Sequence, residues 1–209
     1  MSLYPAHVQE MVAALLESDE MPAIVQAGHP VLRQPAAPVE GQLSVEELAA
    51  LTALMRRVMH EAPGVGLAAP QIGIPLQLAV LEDLYDLSAE TAAVRQRTPL
   101  EFLAISNPRY RPLDSNTAAF YEGCLSMTGW QAVVERPLRV RLDYDDALGV
   151  RTSSEFSGWP ARVVQHETDH LAGTLYIDKA LTRSLSDDAE YVRRWAEPGI
   201  GLAREGLSF

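Results

Sequence analysis

Residues 166–170 read His-Glu-Thr-Asp-His, two imidazoles four positions apart with a carboxylate beside the first. On an α-helix, positions i and i+4 share a face, so His166 and His170 can grip one metal ion. Glu167 lies at the edge of that face, close enough to take a proton from a water activated by the ion. The flanking residues support a helix from about Trp159 to Ala172. Pro160 suits a first turn, where its missing N–H costs nothing. Val163, His166, Glu167, His170 and Leu171 keep the 3.6-residue period, and Gly173 is placed to end the helix. A motif this short also arises by chance, so alone it divides evenly between a metal site and surface decoration.

Two further segments shift that balance. The chain has a single cysteine, Cys124, so no internal disulfide can form. A lone thiol suits a reducing compartment. Free cysteine is usually a small buried hydrophobe. Here it lies in a short loop, Glu122-Gly123-Cys124-Leu125-Ser126, that follows a strand. One thiolate and two imidazoles supply three ligands of a tetrahedral set and leave the fourth open, which is a catalytic rather than a structural arrangement. The stretch Gly64–Gly73 is rich in glycine, allowing close backbone approach, and Gln71 offers an amide N–H able to stabilise an oxyanion. Its spacing matches neither dinucleotide nor phosphate loops. Glu122 would repel a neighbouring thiolate unless paired. Arg136 is the best partner in reach, and the pair is read as a support for the ligand loop. Asp169 lies off the ligand face, with no role beyond solvent or a nearby arginine.

Other elements must bring these segments together. Val8, Met11, Val12, Leu15 and Leu16 follow helical spacing, so residues 1–21 read as a helical extension. Gly28–Gly41 holds Pro30, Pro35 and Pro38 and reads as extended or turning. A long helix follows, capped by Ser44 with Glu47 completing a capping box. Val45, Leu48, Thr52, Met55 and Met59 trace its expected inner face, and Pro63-Gly64 ends it. Short strands are expected at Leu76–Leu81, Phe102–Ser106, Thr117–Tyr121 and Gln131–Glu135. Leu138–Tyr144 alternates with period two, as a half-buried strand does, and Asp145–Gly149 reads as a hairpin connection. Asp83–Thr98 is polar and expected to be an exposed excursion. A last helix is expected at Asp187–Trp195 with Ser186 as its cap. The fold class is α+β, with antiparallel strands packed around a central helix that carries the His-Glu-x-x-His motif.

With 209 residues, 47% of them hydrophobic and 22% charged, the chain has the composition of one globular domain over residues 1–209. Residues 1–21 contain Glu10, Glu17, Asp19 and Glu20 and no Lys or Arg, unlike a signal or transit peptide. No apolar run is long enough to span a bilayer. The expectation is a cytoplasmic protein without a membrane partner. A net charge of −11 argues against strong nucleic-acid binding. Arg193-Arg194 is the nearest thing to a basic patch.

Taken in order, Gly64-Val65-Gly66-Leu67-Ala68-Ala69-Pro70-Gln71, Glu122-Gly123-Cys124-Leu125-Ser126 and His166–His170 resemble the three signatures of peptide deformylases, G-x-G-L-A-A-x-Q, E-G-C-L-S and H-E-x-x-H. Every fixed position agrees. Gly28-His29-Pro30-Val31-Leu32-Arg33 also looks like that family's N-terminal segment, and the resemblance runs from about Ile24 to Leu181. It implies removal of the formyl group from formyl-methionine of nascent peptides, giving formate and a free amine. It further implies one divalent metal, Fe²⁺ natively in most members with Zn²⁺ or Ni²⁺ as substitutes. Cys124, His166 and His170 would hold the metal, and Glu167 would act as base and then acid. Gln71 and the Leu125 N–H would receive the oxyanion. Formylated nascent peptides would be the partners, with the ribosome as a further one. An extended substrate would pair with the main chain of Gly64, Val65, Gly66 and Leu67, beside Gly123. Its methionine would enter an apolar pocket of Val65, Leu125, Trp159 and Val163, although core packing explains Trp159 and Val163 equally well. The extension, the excursion at 83–98 and the tail after Arg183 lie outside the resemblance. A zincin-type metallopeptidase, a cysteine hydrolase using Cys124 and a structural metal module are the rival readings.

Overall fold

The computed structural model describes residues 5–209; residues 1–4 of the expected extension lie outside the described part. Helix α1 (Pro5–Glu17) packs Val8 and Val12, both fully buried, against helix α2 (Val45–Glu61). The Ser44 hydroxyl accepts from the Glu47 N–H (3.1 Å) and the Glu47 carboxylate accepts from the Ser44 N–H (2.7 Å), the reciprocal box that starts α2. The inner face of α2 differs from the one expected. Leu51, Leu54, Met55, Val58 and Met59 are buried, whereas Val45 is 73% exposed. Val45 is the first residue after the cap, and its side chain is left in solvent.

Two antiparallel sheets follow. The larger runs β1 (Gly66–Ala68), β2 (Leu78–Asp83), β3 (Leu100–Pro112), β6 (Arg139–Asp145) and β7 (Arg151–Ser157) in that spatial order. The smaller joins β4 (Thr117–Gly123), β5 (Trp130–Pro137) and the short β8 (Ser186–Asp187). β3 is far longer than the expected Phe102–Ser106, and β1 and β7 carry no apolar run that would have marked them in the sequence. β6 alternates as expected, burying Val140, Leu142 and Tyr144.

Strand β2 is buried at every position because both of its faces are covered. Leu78 and Val80 join Met55 and Met59 of α2 in one core, while Ala79 and Leu81 join Ala161 and Val164 of helix α4 (Gly158–Leu171) in a second. Period two thus divides one strand between two cores. Helix α4 touches strands of both sheets. Only Trp159 and His166 of its residues keep more than marginal exposure. A polar helix at that depth must find internal partners for its side chains.

The excursion at 83–98 is only partly exposed. Its helix α3 (Ala89–Arg95) buries nothing, but both ends dock. Asp83 accepts two hydrogen bonds from Arg97 (2.6 and 2.7 Å), and the Gln96 carbonyl accepts from the Trp159 N–H (3.2 Å). Gly158 has φ +62°, and a Cβ there would lie 2.4 Å from the Gln96 oxygen, so the start of α4 requires glycine. Helix α5 (Asp188–Arg194) is capped by Asp187, whose carboxylate accepts from the Ala189 N–H, and not by Ser186, which β8 places 6% exposed. Helix α6 (Gly201–Leu207) closes the described chain. Among the described residues no helix is long and apolar enough to cross a membrane.

Candidate metal centre and active site

Helix α4 carries His166 and His170 one turn apart, with ring centres 5.0 Å from each other. The loop after β4 brings Cys124 to them, its Sγ 3.3 Å from His170 Nε2. One ligand atom from each of Cys124, His166 and His170 lies within 4.8 Å of the others. The orientation of the rings fits a cation. His166 Nδ1 lies 3.0 Å from Glu122 Oε2. A carboxylate only accepts, so Nδ1 donates to it and Nε2 is the ring atom left to face a cation. Burial and nearby positive groups push His170 well below its usual range, which keeps that ring neutral as a ligand must be. This donor set of two imidazoles and one thiol suits a divalent transition metal.

Glu122 holds more than the expected arginine. Arg136 donates to its two oxygens at 2.6 and 2.9 Å, and Arg162 of α4 donates to Oε1 at 2.6 Å. Burial acts to raise the Glu122 carboxyl, but Arg136 and His166 outweigh it and hold the group well below the usual carboxylate range. Asp169, left without a role by the sequence, completes the network. It accepts from Arg136 (2.7 Å), Lys179 (2.7 Å) and the Tyr110 hydroxyl (3.0 Å). The Glu122–Arg136 contact was legible because the two residues sit on adjacent strands. Arg162 gave no such signal, being 40 residues from Glu122. With Arg136 and Arg162 only 2% and 5% exposed, Glu122→Ala leaves two buried cations short of a counter-ion. Chemical denaturation should show a loss of about 3–5 kcal/mol. A loss below about 1 kcal/mol, the range of surface pairs, would mean the network contributes little. Because the folded carboxyl is held low, its contribution should be complete above about pH 5 and fall away only as acid protonates it.

A cleft of about 500 Å³ opens onto this centre, with Val65, Leu125, Trp159, Val163, His166 and Glu167 among its walls. Gly64, Gly66, Gln71 and Gly123 line it as well. Leu67 does not: its side chain is fully buried in the α2 core, so only its main chain belongs to β1. Val163 is 4% exposed and serves both core and cleft. The sequence did not point to Arg95, which the docked excursion places in the cleft wall, its guanidinium 5.3 Å from the Trp159 ring centre.

Glu167 packs against β1. A Cβ on Gly66 would lie 2.3 Å from its Oε1, so that glycine is what lets the carboxylate approach. Glu167 Oε2 is buried and has no hydrogen-bond partner among the described residues. Burial pushes its carboxyl up to about 7, against the pull of His166 and Arg136. Gln71 is 1% exposed. Its Oε1 accepts from the Ala68 N–H (2.8 Å), and its Nε2 points at Ser126 Oγ (3.3 Å) and Cys124 Sγ (3.7 Å). The Leu125 N–H donates to no group among the described residues.

A family model described as polypeptide deformylase matches residues 21–185. The chain belongs to that family. "Peptide deformylase 3" of Streptomyces avermitilis is 50% identical over 200 residues, covering 96% of this chain and 89% of the relative. That match takes in flanking segments the family model omits. The mitochondrial peptide deformylase of Homo sapiens is 42% identical over 169 residues, 78% of this chain and 70% of its own. Among solved structures, the peptide deformylase from Thermotoga maritima superposes with a TM-score of 0.64 at 34% identity, covering 77% of this chain and 98% of the other. Peptide deformylases are metalloenzymes, and the cluster of Cys124, His166 and His170 accords with that.

Proposed function

We propose that this chain removes the formyl group from formyl-methionine at its cleft, with Cys124, His166 and His170 holding one divalent metal, Fe²⁺ natively and Zn²⁺ or Ni²⁺ in its place. The activity is that of the family, hydrolysis of N-terminal formyl groups on nascent peptides. The observation that carries the site assignment is the convergence of three ligand atoms within 4.8 Å beside a buried, unpartnered carboxylate. A bound divalent cation supplies Lewis acidity, lowering the pKa of water and polarising the formyl oxygen. Glu167 takes the proton of the attacking water and passes it to the leaving amine nitrogen as the C–N bond breaks. Gln71 Nε2 and the Leu125 N–H donate to the oxygen on which negative charge develops.

The substrate main chain pairs with the open edge formed by Gly64, Val65 and the first β1 residue, Gly66, a mode that tolerates many sequences. The methionine side chain enters between Trp159, Val163, Val65 and Leu125, with His166 at the inner end. Residues 1–209 act as one catalytic unit in the cytoplasm, with α1 as an added helix packed on α2. Contact with the ribosome belongs to the same reading. Arg193 and Arg194 supply no free basic patch for it, since Glu190 engages both. A zincin-type metallopeptidase is not favoured, because residues 21–185 match the polypeptide deformylase family.

Incubation with formyl-Met-Ala-Ser, with and without a chelator, tests the reading. Formate release that the chelator abolishes is expected. Elemental analysis of anaerobically purified protein should find about one metal per chain, as a single three-ligand catalytic site requires. Cys124→Ala should lose that metal and the activity together. A variant keeping both would overturn the ligand assignment, and chelator-resistant activity dependent on Cys124 would favour a thiol nucleophile.

A further inference from the structure

Two arginines stand in the wall of the cleft, and only one of them is neutralised. Arg162 meets Glu122 at 2.6 Å, whereas Arg95 takes part in no ion pair among the described residues. Arg95 is partly buried. Its Nε donates to the Pro198 carbonyl (3.0 Å) and its Nη2 to the Glu197 carbonyl (3.2 Å), so the C-terminal tail fixes the plane of the guanidinium. Nη1 has no hydrogen-bond partner among the described residues. The group lies 5.3 Å from the Trp159 ring centre and 5.9 Å from that of Phe120, aromatic surfaces that help to hold a cation in place. Trp159 Nε1 is buried and is likewise without a partner among the described residues. This end of the cleft therefore holds a fixed charge and donors that the protein itself does not match, an arrangement that costs stability.

Trp159 and His166 lie on the same helix, α4, about two turns or roughly 10 Å apart. His166 marks the metal end of the methionine pocket and Trp159 the far end. A side chain that starts at the metal end and passes Val163 carries its terminal atoms towards Trp159 and Arg95. A thioether sulfur is only a weak acceptor, so methionine leaves the Arg95 donor unmatched. Oxidation turns the same side chain into a sulfoxide, polar and chiral at sulfur, whose oxygen is an acceptor. We propose that Arg95 admits formyl-methionine sulfoxide as a second substrate of this cleft, donating from Nη1 to the sulfoxide oxygen. The inference rests on the deformylase reading and widens its substrate class.

The bond broken is the same for both substrates. Water adds to the formyl carbon, the C–N bond breaks, and formate and a free amine leave. The sulfoxide passes through unchanged, so no oxidant or reductant is consumed. What differs is the cost of entry. A pocket of Val65, Leu125, Trp159 and Val163 alone strips water from the sulfoxide oxygen and returns nothing, which rejects it. A guanidinium already oriented by two carbonyls replaces that water with a charged donor, and little further ordering is needed when the substrate binds. Arg95 reaches this position only because the excursion at 83–98 is docked at both ends, by Arg97 on Asp83 and by the Trp159 N–H on the Gln96 carbonyl.

The test measures formate release from formyl-Met-Ala-Ser and from each sulfur epimer of its methionine sulfoxide counterpart, on the metal-loaded enzyme. In the wild type at least one epimer should keep kcat/KM within about tenfold of the thioether peptide, less than a buried acceptor without a donor should lose. In Arg95→Leu the ratio of sulfoxide to thioether kcat/KM should fall by about 10–100-fold, the range of a hydrogen bond to a charged group. A general loss from untying the tail acts on both peptides alike and cancels in that ratio. The wild-type comparison stands even where the variant fails to fold. Both epimers falling more than about tenfold behind in the wild type, or a ratio that Arg95→Leu leaves unchanged, would overturn the inference and leave the deformylase reading standing. Failure to turn over formyl-Met-Ala-Ser would reject that reading and the inference with it.

Discussion

Glu167→Gln should retain one equivalent of metal and the native fold while losing about 10²–10⁴-fold in kcat/KM, the usual contribution of a positioned acid–base group. The replacement keeps the volume that packs against Gly66, so the β1 edge and the cleft wall stay in place. It removes only the proton acceptor. The wild-type carboxylate is 4% exposed, with one buried oxygen lacking a partner, an arrangement that costs stability. Catalytic sites characteristically carry such costs. The variant should therefore melt no lower than the wild type. Metal content, melting temperature and steady-state rates near neutral pH give three independent readings. A loss under about tenfold with metal and fold intact would remove Glu167 from the proton-transfer role, since even weak general catalysis exceeds it. Loss of metal would mean instead that the side chain orders the ligand helix.

Gln71→Leu should lower kcat by about 10²–10³-fold, as loss of one oxyanion donor does in other hydrolases, with a much smaller rise in KM. In the proposed role the donor faces the oxygen where charge develops, so its loss should weaken the transition state more than the bound formyl group. The substitution has a second effect that the sequence did not reveal. Gln71 Oε1 accepts from the Ala68 N–H at 2.8 Å, and leucine leaves that buried donor unpaired. A stability loss of about 1–3 kcal/mol should accompany the kinetic one. Gln71→Glu separates the two, because a carboxylate still accepts from Ala68 but donates nothing. A fall in kcat common to both variants isolates the donor. An unchanged kcat with a raised KM would reassign Gln71 to ground-state binding, and no kinetic change would place it outside the site.

The residues at the centre were legible because their signals are local. His166 and His170 share a helical face by geometry alone, and the Ser44–Glu47 box starts a helix wherever it occurs. Period two marked β6 for the same reason. Cys124 and Gln71 were picked out by residue chemistry, and the family signatures joined them to α4, which no local period could have done. Boundaries and faces were read less well. Val45 fits the helical stripe of α2 yet faces solvent, because a stripe records spacing and not what packs against it.

Only the tertiary structure decided how the charges pair. Glu122, Arg136, Arg162, Asp169 and Lys179 come from four separate stretches of chain, and each is costly to bury until the others arrive. No residue type or spacing announces such a network, since its stability depends on burial that the sequence does not display. The docking of the 83–98 excursion onto α4, which brings Arg95 to the cleft, depends likewise on contacts between distant segments. The sequence by itself determined which atoms can do the chemistry, because metal ligation and proton transfer are properties of side chains at short spacing. What surrounds those atoms, and so how strongly each acts, was settled by long-range packing.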